Sequence, residues 1–298
     1  MADRLKYLDP VALSAVKNMY IRARLIVEGF ITGLHRSPYH GFSVEFSEHR
    51  QYIPGDESKH IDWKLFGKTD RYYIKQFEEE TNLKAYIVLD SSASMNYSSG
   101  GVTKLEFASY IAASLTYLML RQRDAVGLCI IDDKIRSYIP PSSRSTYLKL
   151  LLEQLENLSP GKETDLASNF HELAERIHRR GLIIILSDLM DDPEEVLNGL
   201  RHFRYNDHEV IVFHILDPME LDFDFPREAL FSDMESGDRI SADPWHLKED
   251  YALKMKEFIH AYKYGCLKQN IDYYRLDSSA NLATALMDFL ISRKKVVG

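Results

Sequence analysis

The sequence predicts an α/β fold built on a mostly parallel central sheet with helices on both faces. Three observations predict it. From Leu83 onward, short apolar runs alternate with amphipathic stretches, as parallel strands joined by crossover helices require. The runs Ala85–Leu89, Val126–Ile131, Leu182–Leu186 and Val210–Leu216 are rich in Ile, Val and Leu, and most are apolar at successive positions, the pattern of strands covered on both faces. Between the first two, Leu105, Ala108, Ile111, Ala112, Leu115 and Leu118 recur at helical spacing and form one stripe to lay on the sheet.

At the N-terminus, Val11–Leu34 is the most apolar long stretch, but Lys17, Arg22, Arg24 and Glu28 interrupt it, so it cannot span a bilayer cheaply. It predicts an amphipathic helix packed on the protein, with contact to a membrane surface as the alternative. Phe42–Phe46 and Tyr72–Phe77 read as strands, with a turn at Pro54-Gly55-Asp56 and an aromatic cluster of Tyr52, Trp63 and Phe66 between them. No linker composition follows, so residues 1–80 are expected to form a helix and strand extension packed on a main domain at 81–298.

Within that domain, Ile135–Ile139 follows the second strand after only three residues, too few for a crossover, and is expected to pair antiparallel at an edge. Helices are expected at 144–158, 166–180 and 193–203. Pro193 suits a first helical turn, and Gly181 after Arg179 and Arg180 suits a helix end. Ala229–Ala242 reads as a hairpin around Ser236-Gly237-Asp238. A helix at 246–269, a strand Ile271–Leu276 and a helix Leu282–Ile291 complete the pattern.

The 298 residues are 45% hydrophobic and 28% charged, ordinary values for a soluble globular chain. The net charge of -8 argues against the basic footprint that nucleic acid needs. Cys129 and Cys266 are the two cysteines and form neither a disulfide framework nor a zinc spacing, and the N-terminus has no signal-peptide pattern, so a reducing cytoplasmic location is expected. The eleven histidines do not cluster at ligand spacing; His171 and His178, for example, fall seven apart.

In a doubly wound sheet of order 3-2-1-4-5-6, ligands bind beyond the C-terminal strand ends near the reversal of order. Asp90 ends the first apolar strand, in Val-Leu-Asp-Ser-Ser-Ala-Ser-Met, and Ser187-Asp188 ends the fourth, which that order places beside it. The loop Gly161-Lys162-Glu163-Thr164-Asp165 opens on the same edge. Asp90, Ser92, Ser94, Thr164 and Asp188 therefore make an all-oxygen set suited to a hard divalent cation: Mg2+, or Mn2+ or Ca2+ in its place. Hydroxyls in place of further carboxylates leave charge on such an ion, so an open position would attract an acidic residue of a partner. The plainer alternative is that Asp90 and Ser92 cap the next helix, and Thr164 or Asp165 the one after.

The order Asp-x-Ser-x-Ser, Thr, Asp resembles the metal-ion-dependent adhesion site of von Willebrand factor A domains. Upstream, Glu45-Phe46, Arg50, Tyr52, Pro54-Gly55-Asp56 and Ile61-Asp62-Trp63-Lys64 resemble the domain of unknown function 58 family. That resemblance, over roughly residues 29–298, implies a Rossmann-like A domain without established enzymatic activity. It also implies an adaptor role beside a MoxR-type AAA+ ATPase in complex assembly or maturation, with Asp90, Ser92 and Ser94 as the first metal loop, Thr164 the second and Asp188 the third. Lys59 and Glu163 depart from the family pattern, which often has arginine and glycine there.

The enzyme alternative is a magnesium-dependent phosphatase of haloacid dehalogenase type, with Asp90 as nucleophile and Asp188, Asp191 and Asp192 after a later strand. That chemistry needs a second aspartate two residues on as general acid, and the position holds Ser92. No Gly-x-Ser-x-Gly elbow surrounds Ser92 or Ser94, and Gly161-Lys162 lacks the upstream glycine of a phosphate loop. No catalytic and no nucleotide-binding residue is assigned.

Overall fold

The structure is a computed structural model and describes residues 9–34, 49–51, 66–67, 72–75, 84–161, 164–225, 229–232, 239–242, 244–282 and 285–286. By internal contacts the chain divides into two units, 1–36 with 83–298, and 37–82. The N-terminal helices thus count with the main sheet.

The expected single helix at 11–34 is two, α1 (Pro10–Ser14) and α2 (Met19–Leu34). Arg22 explains the break: its guanidinium donates to the carbonyls of Ser14 and Val16, which the interrupted ladder leaves free, and to Tyr110 Oη at 3.3 Å. Leu13, Met19, Ala23, Ile26 and Val27 are buried in the core, so this amphipathic face packs on the protein. Among the described residues no helix is long and apolar enough to cross a membrane.

In the second unit, β1 (His49–Gln51) pairs antiparallel with β2 (Tyr73–Lys75), Arg50 opposite Ile74, and Phe66 stacks on Tyr72 with centroids 4.5 Å apart. The expected strand Phe42–Phe46, the residues Tyr52 and Trp63, and the motif positions from Pro54 to Lys64 lie outside the described residues.

The main unit then runs β3 (Lys84–Asp90), α3 (Lys104–Arg121), β4 (Ala125–Ile131), β5 (Ile135–Ser142), α4 (Ser145–Glu156), α5 (Leu166–Arg176), β6 (Leu182–Ser187), α6 (Pro193–Tyr205), β7 (Glu209–Leu216), α7 (Pro218–Asp222), β8 (Ala229–Ser232), β9 (Arg239–Ala242), α8 (Pro244–Lys268) and β10 (Asp272–Asp277). The sheet order is β10-β7-β6-β3-β4-β5, the order expected. All neighbours are parallel except β4 and β5. β5 closes an edge with Pro140 and Pro141, which deny a further strand its donors. Gly127 sits opposite, where an added Cβ would meet Ile139 O at 2.6 Å.

Successive residues of the buried strands feed opposite faces. Ile87 and Leu89 pack with Ile111 and Leu115 of α3 on one side; Val88, Ile183 and Ile185 pack with Phe170 of α5 and Phe203 of α6 on the other. At about 1.5–3 kcal/mol for each fully buried side chain of this size, these two layers supply the main drive to fold. β8 and β9 form the expected hairpin arms, Phe231 opposite Ile240.

One helix end differs from expectation. α5 stops at Arg176, not at 180, because Ile177 is drawn into the core with its carbonyl against His208 Nε2 at 3.1 Å. Gly181 serves close approach instead of helix termination: a Cβ there would meet Lys84 O at 2.4 Å. The expected final helix at 282–291 is described only at Leu282, Ala285 and Leu286, which are buried and helical.

Candidate functional site

β3 delivers Asp90 to the C-terminal edge of the sheet beside β6, with Leu89 in register with Leu186. Asp90 and Ser187 are both buried, and the Ser187 hydroxyl donates to Asp90 Oδ2 at 2.6 Å. Asp90 Oδ1 accepts the Ser92 amide at 2.9 Å. Ser91 stays tied to β4 through its amide and hydroxyl, both donating to Ile131 O, at 2.8 and 3.0 Å. The chain then turns through a short 3-10 segment, Ser94–Asn96, which brings the hydroxyls of Ser92 and Ser94 to 3.0 Å.

Neither Asp90 nor Ser92 caps the following helix. α3 begins at Lys104, and Thr103 caps it in a reciprocal arrangement with Glu106. In the second loop the capping alternative holds for Asp165, which caps α5 by accepting from Ser168 N at 3.0 Å, but not for Thr164. Thr164 Oγ1 is buried and finds no hydrogen-bond partner among the described residues.

Three loops meet here. Gly161 N donates to Ser91 O at 2.6 Å, which pins the Thr164 loop to the Asp90 loop. Leu166 N donates to Asp191 Oδ2 at 3.1 Å, which pins it to the loop after β6. Asp192 caps α6 through Glu194 N and Glu195 N. Asp191 and Asp192 therefore have structural duties, which, of the aspartates that end β3 and follow β6, leaves Asp90 and Asp188 to the site.

Asp188 is buried, with Oδ1 accepting from Met190 N at 3.3 Å and Oδ2 from Lys104 Nζ at 2.7 Å. Lys104 is itself wholly buried and also donates to Glu220 Oε1 at 2.5 Å. Glu220 belongs to α7, and its other oxygen accepts from Asp217 N at 2.8 Å. Asp217 Oδ2 in turn accepts from Ser99 N at 3.0 Å.

Burial, then the nearby Asp188 charge, pushes the Asp90 carboxyl up to about 7, against the opposing pull of the Ser187 and Ser92 donors. Burial alone would lower the Lys104 ammonium, but Asp188 and Glu220 outweigh it and hold the group above its ordinary value. Burial raises Glu220, with Lys104 opposing.

Among the described residues no three His, Cys, Asp or Glu side chains converge as a metal site. The donor chemistry is instead two carboxylates with neutral hydroxyls. It fits a hard divalent cation on three counts: the donors are all oxygen, two carboxylates repel one another at the same sheet edge, and the Thr164 hydroxyl is buried with no hydrogen-bond partner among the described residues. Asp188 Oδ2 is taken by Lys104, so Asp188 is suited to hold an ion through water and Asp90 to hold it through a free lone pair.

Reasoning from the sequence missed Lys104 and Glu220. A signal existed for the lysine. A cation in the first turn of a helix opposes the positive end of its dipole, so a lysine there needs carboxylates from elsewhere. Ser187 was visible only as half of a polar pair and proves to be the residue that orients Asp90.

A family model described as "Protein of unknown function DUF58" matches residues 48–257. Among curated proteins, "Uncharacterized protein Rv1480" of Mycobacterium tuberculosis is 26% identical over 249 residues, covering 82% of this chain and 78% of that protein. "Uncharacterized protein Mb1516" of Mycobacterium bovis matches to the same extent. A solved structure of the conserved hypothetical protein BatB from Bacteroides thetaiotaomicron matches with TM-score 0.46 and 16% identity, covering 72% of this chain and 99% of that one. The SpRpn10 VWA domain matches with TM-score 0.37 and 11% identity, covering 68% and 93%.

Proposed function

The chain belongs to the DUF58 family, and from that premise we propose that it is a non-enzymatic, divalent-cation-dependent protein-binding adaptor. In this reading it works beside a MoxR-type AAA+ ATPase in the assembly or maturation of other proteins, in the cytoplasm. The observation that carries the reading is the buried Thr164 hydroxyl, unpartnered among the described residues, on a loop hydrogen-bonded to the Asp90 loop.

Asp90, Ser92, Ser94 and Thr164 would hold Mg2+, Mn2+ or Ca2+ directly, and Asp188 through water. A cation bound there supplies a coordination position that an acidic residue of a client or of the ATPase can complete. The chain's own residues do the rest. Ser187 fixes the rotamer of Asp90, the pairing of Ser92 with Ser94 sets the spacing of two neutral donors, and Gly161 holds the Thr164 loop against Ser91. Neutral donors matter because each further carboxylate would cancel the charge that draws a partner's carboxylate in.

The test is capture of partners on the purified protein with and without chelator, and with Asp90→Ala. Capture lost under both treatments, with the far-UV circular dichroism of the variant unchanged, supports the reading. Capture unchanged under both overturns the cation dependence. Magnesium-dependent hydrolysis of a generic phosphate ester that Asp90→Asn abolishes would favour the phosphatase alternative.

A further inference from the structure

Lys104 presents a physical puzzle. Its ammonium is withdrawn from water completely, at the first position of α3, where the helix dipole repels a cation. It is held by Asp188 Oδ2 at 2.7 Å, from the loop after β6, and by Glu220 Oε1 at 2.5 Å, from α7. An apolar side chain of similar length would fill that helix position without the desolvation cost, provided the two carboxylates were absent as well. The arrangement is therefore specific to a place where carboxylates are needed for another reason, and Asp188 stands at the cation site.

We propose that Lys104 is the positioning residue that sets the charge of this site, weakening its hold on a bare divalent cation and strengthening the hold of the loaded site on an acidic ligand. The inference rests on the cation-dependent reading above. Asp188 and Glu220 hold the ammonium, and Asp90 feels the charge of Asp188; the three carboxylates and one ammonium carry a formal charge of -2 when all are ionised, which a divalent ion brings to neutrality. Without Lys104 the cluster would stand at -3. The ion would bind more tightly and remain over-neutralised, and an incoming carboxylate would meet net negative charge. With Lys104 engaged, Asp188 Oδ2 is also withheld from direct coordination, so one position on the ion stays open for the ligand. Glu220 sets how much of the ammonium Asp188 receives. Removing the Glu220 charge leaves Lys104 wholly to Asp188 and makes the site more positive.

The two substitutions therefore predict opposite shifts, whereas a merely structural ion pair would predict weakening by both. The experiment uses the full chain at pH 8 and titrates Mn2+, with free Mn2+ read by electron paramagnetic resonance. Lys104→Met is expected to tighten Mn2+ binding by about tenfold and Glu220→Gln to weaken it by several-fold, with Lys104→Arg close to the unsubstituted protein. Acetate added to the Mn2+-loaded protein, followed by water-proton relaxation, is expected to bind more weakly to Lys104→Met than to the unsubstituted protein. Shifts of the same sign, or no shift in either variant, overturn the proposal while the cation site stands. Absence of Mn2+ binding by the unsubstituted protein overturns both. If circular dichroism shows Lys104→Met unfolded, Glu220→Gln decides: weaker binding supports the proposal, and unchanged or tighter binding overturns it.

Discussion

Ser187 donates its hydroxyl to Asp90 Oδ2 across 2.6 Å, and both residues are sealed from solvent at the ends of adjacent parallel strands. The same hydroxyl oxygen accepts the Leu189 amide at 2.9 Å, so one serine orients the carboxylate and anchors the turn that carries Asp188. Ser187→Ala leaves Asp90 Oδ2 and the Leu189 amide each short of a partner. The expected loss is about 1–3 kcal/mol of unfolding free energy, measured by urea denaturation in chelator. A loss within experimental error of zero would show that the bond does not hold the site.

Asp90 itself is expected to destabilise the cation-free protein at alkaline pH. Its carboxyl is raised by burial first and Asp188 second, from 3.8 to about 7. The folded state then keeps a proton that the unfolded chain has released. The stability from this group is full below about 3.8 and is lost as pH rises through about 7. In chelator, Asp90→Asn should gain on the unsubstituted protein between pH 4 and pH 8 and melt higher at pH 8. A constant difference in Tm across that range would sink the argument.

The sheet was legible because buried parallel strands have no polar face. Leu182–Leu186 is apolar at every position, and the three-residue link before Ile135 forced an antiparallel edge. The expected strand order places Asp90 beside the Ser187-Asp188 end, as observed. What the sequence hid is what sequence distance hides. Lys104 meets Asp188 across 84 residues and Glu220 across 116, and no local pattern encodes either pairing. The early end of α5 was hidden for a related reason: burial of Ile177 and its bond to His208 are tertiary, while the helical pattern of the segment runs on to Arg180.

The Thr164 loop offers a test of how closely its approach is set. Gly161 carries the amide that bonds Ser91 O, and a Cβ added to it would meet Asp132 Oδ2 at 2.2 Å and Asp132 Cβ at 2.8 Å. Gly161→Ala should therefore cost about 1–3 kcal/mol and weaken Mn2+ binding by displacing the loop from Ser91. Trimming the obstacle should undo part of this: Asp132→Ala together with Gly161→Ala is expected to recover stability relative to the sum of the single losses. Strict additivity in denaturation would place the strain elsewhere.

Acid stability should depend on His214. It lies on β7 in register with Ser187, wholly buried, with Nδ1 2.6 Å from the Tyr273 hydroxyl and Nε2 without a hydrogen-bond partner among the described residues. Burial, only partly offset by Asp188, lowers its pKa from 6.5 to about 4. A depressed value means that the unfolded chain takes up the proton first. The stability from neutral His214 is present above about 6.5 and is lost as pH falls through about 4, a swing of about 3 kcal/mol at most. His214→Gln keeps a polar group against Tyr273 but does not titrate, so its unfolding free energy should fall less steeply from pH 6.5 to pH 4. Parallel pH profiles for the two proteins would assign the acid sensitivity to other groups. A shallower profile for the variant would show that the residue beside the Asp188 turn is held neutral by the fold, so that no second cation competes with Lys104 for that carboxylate.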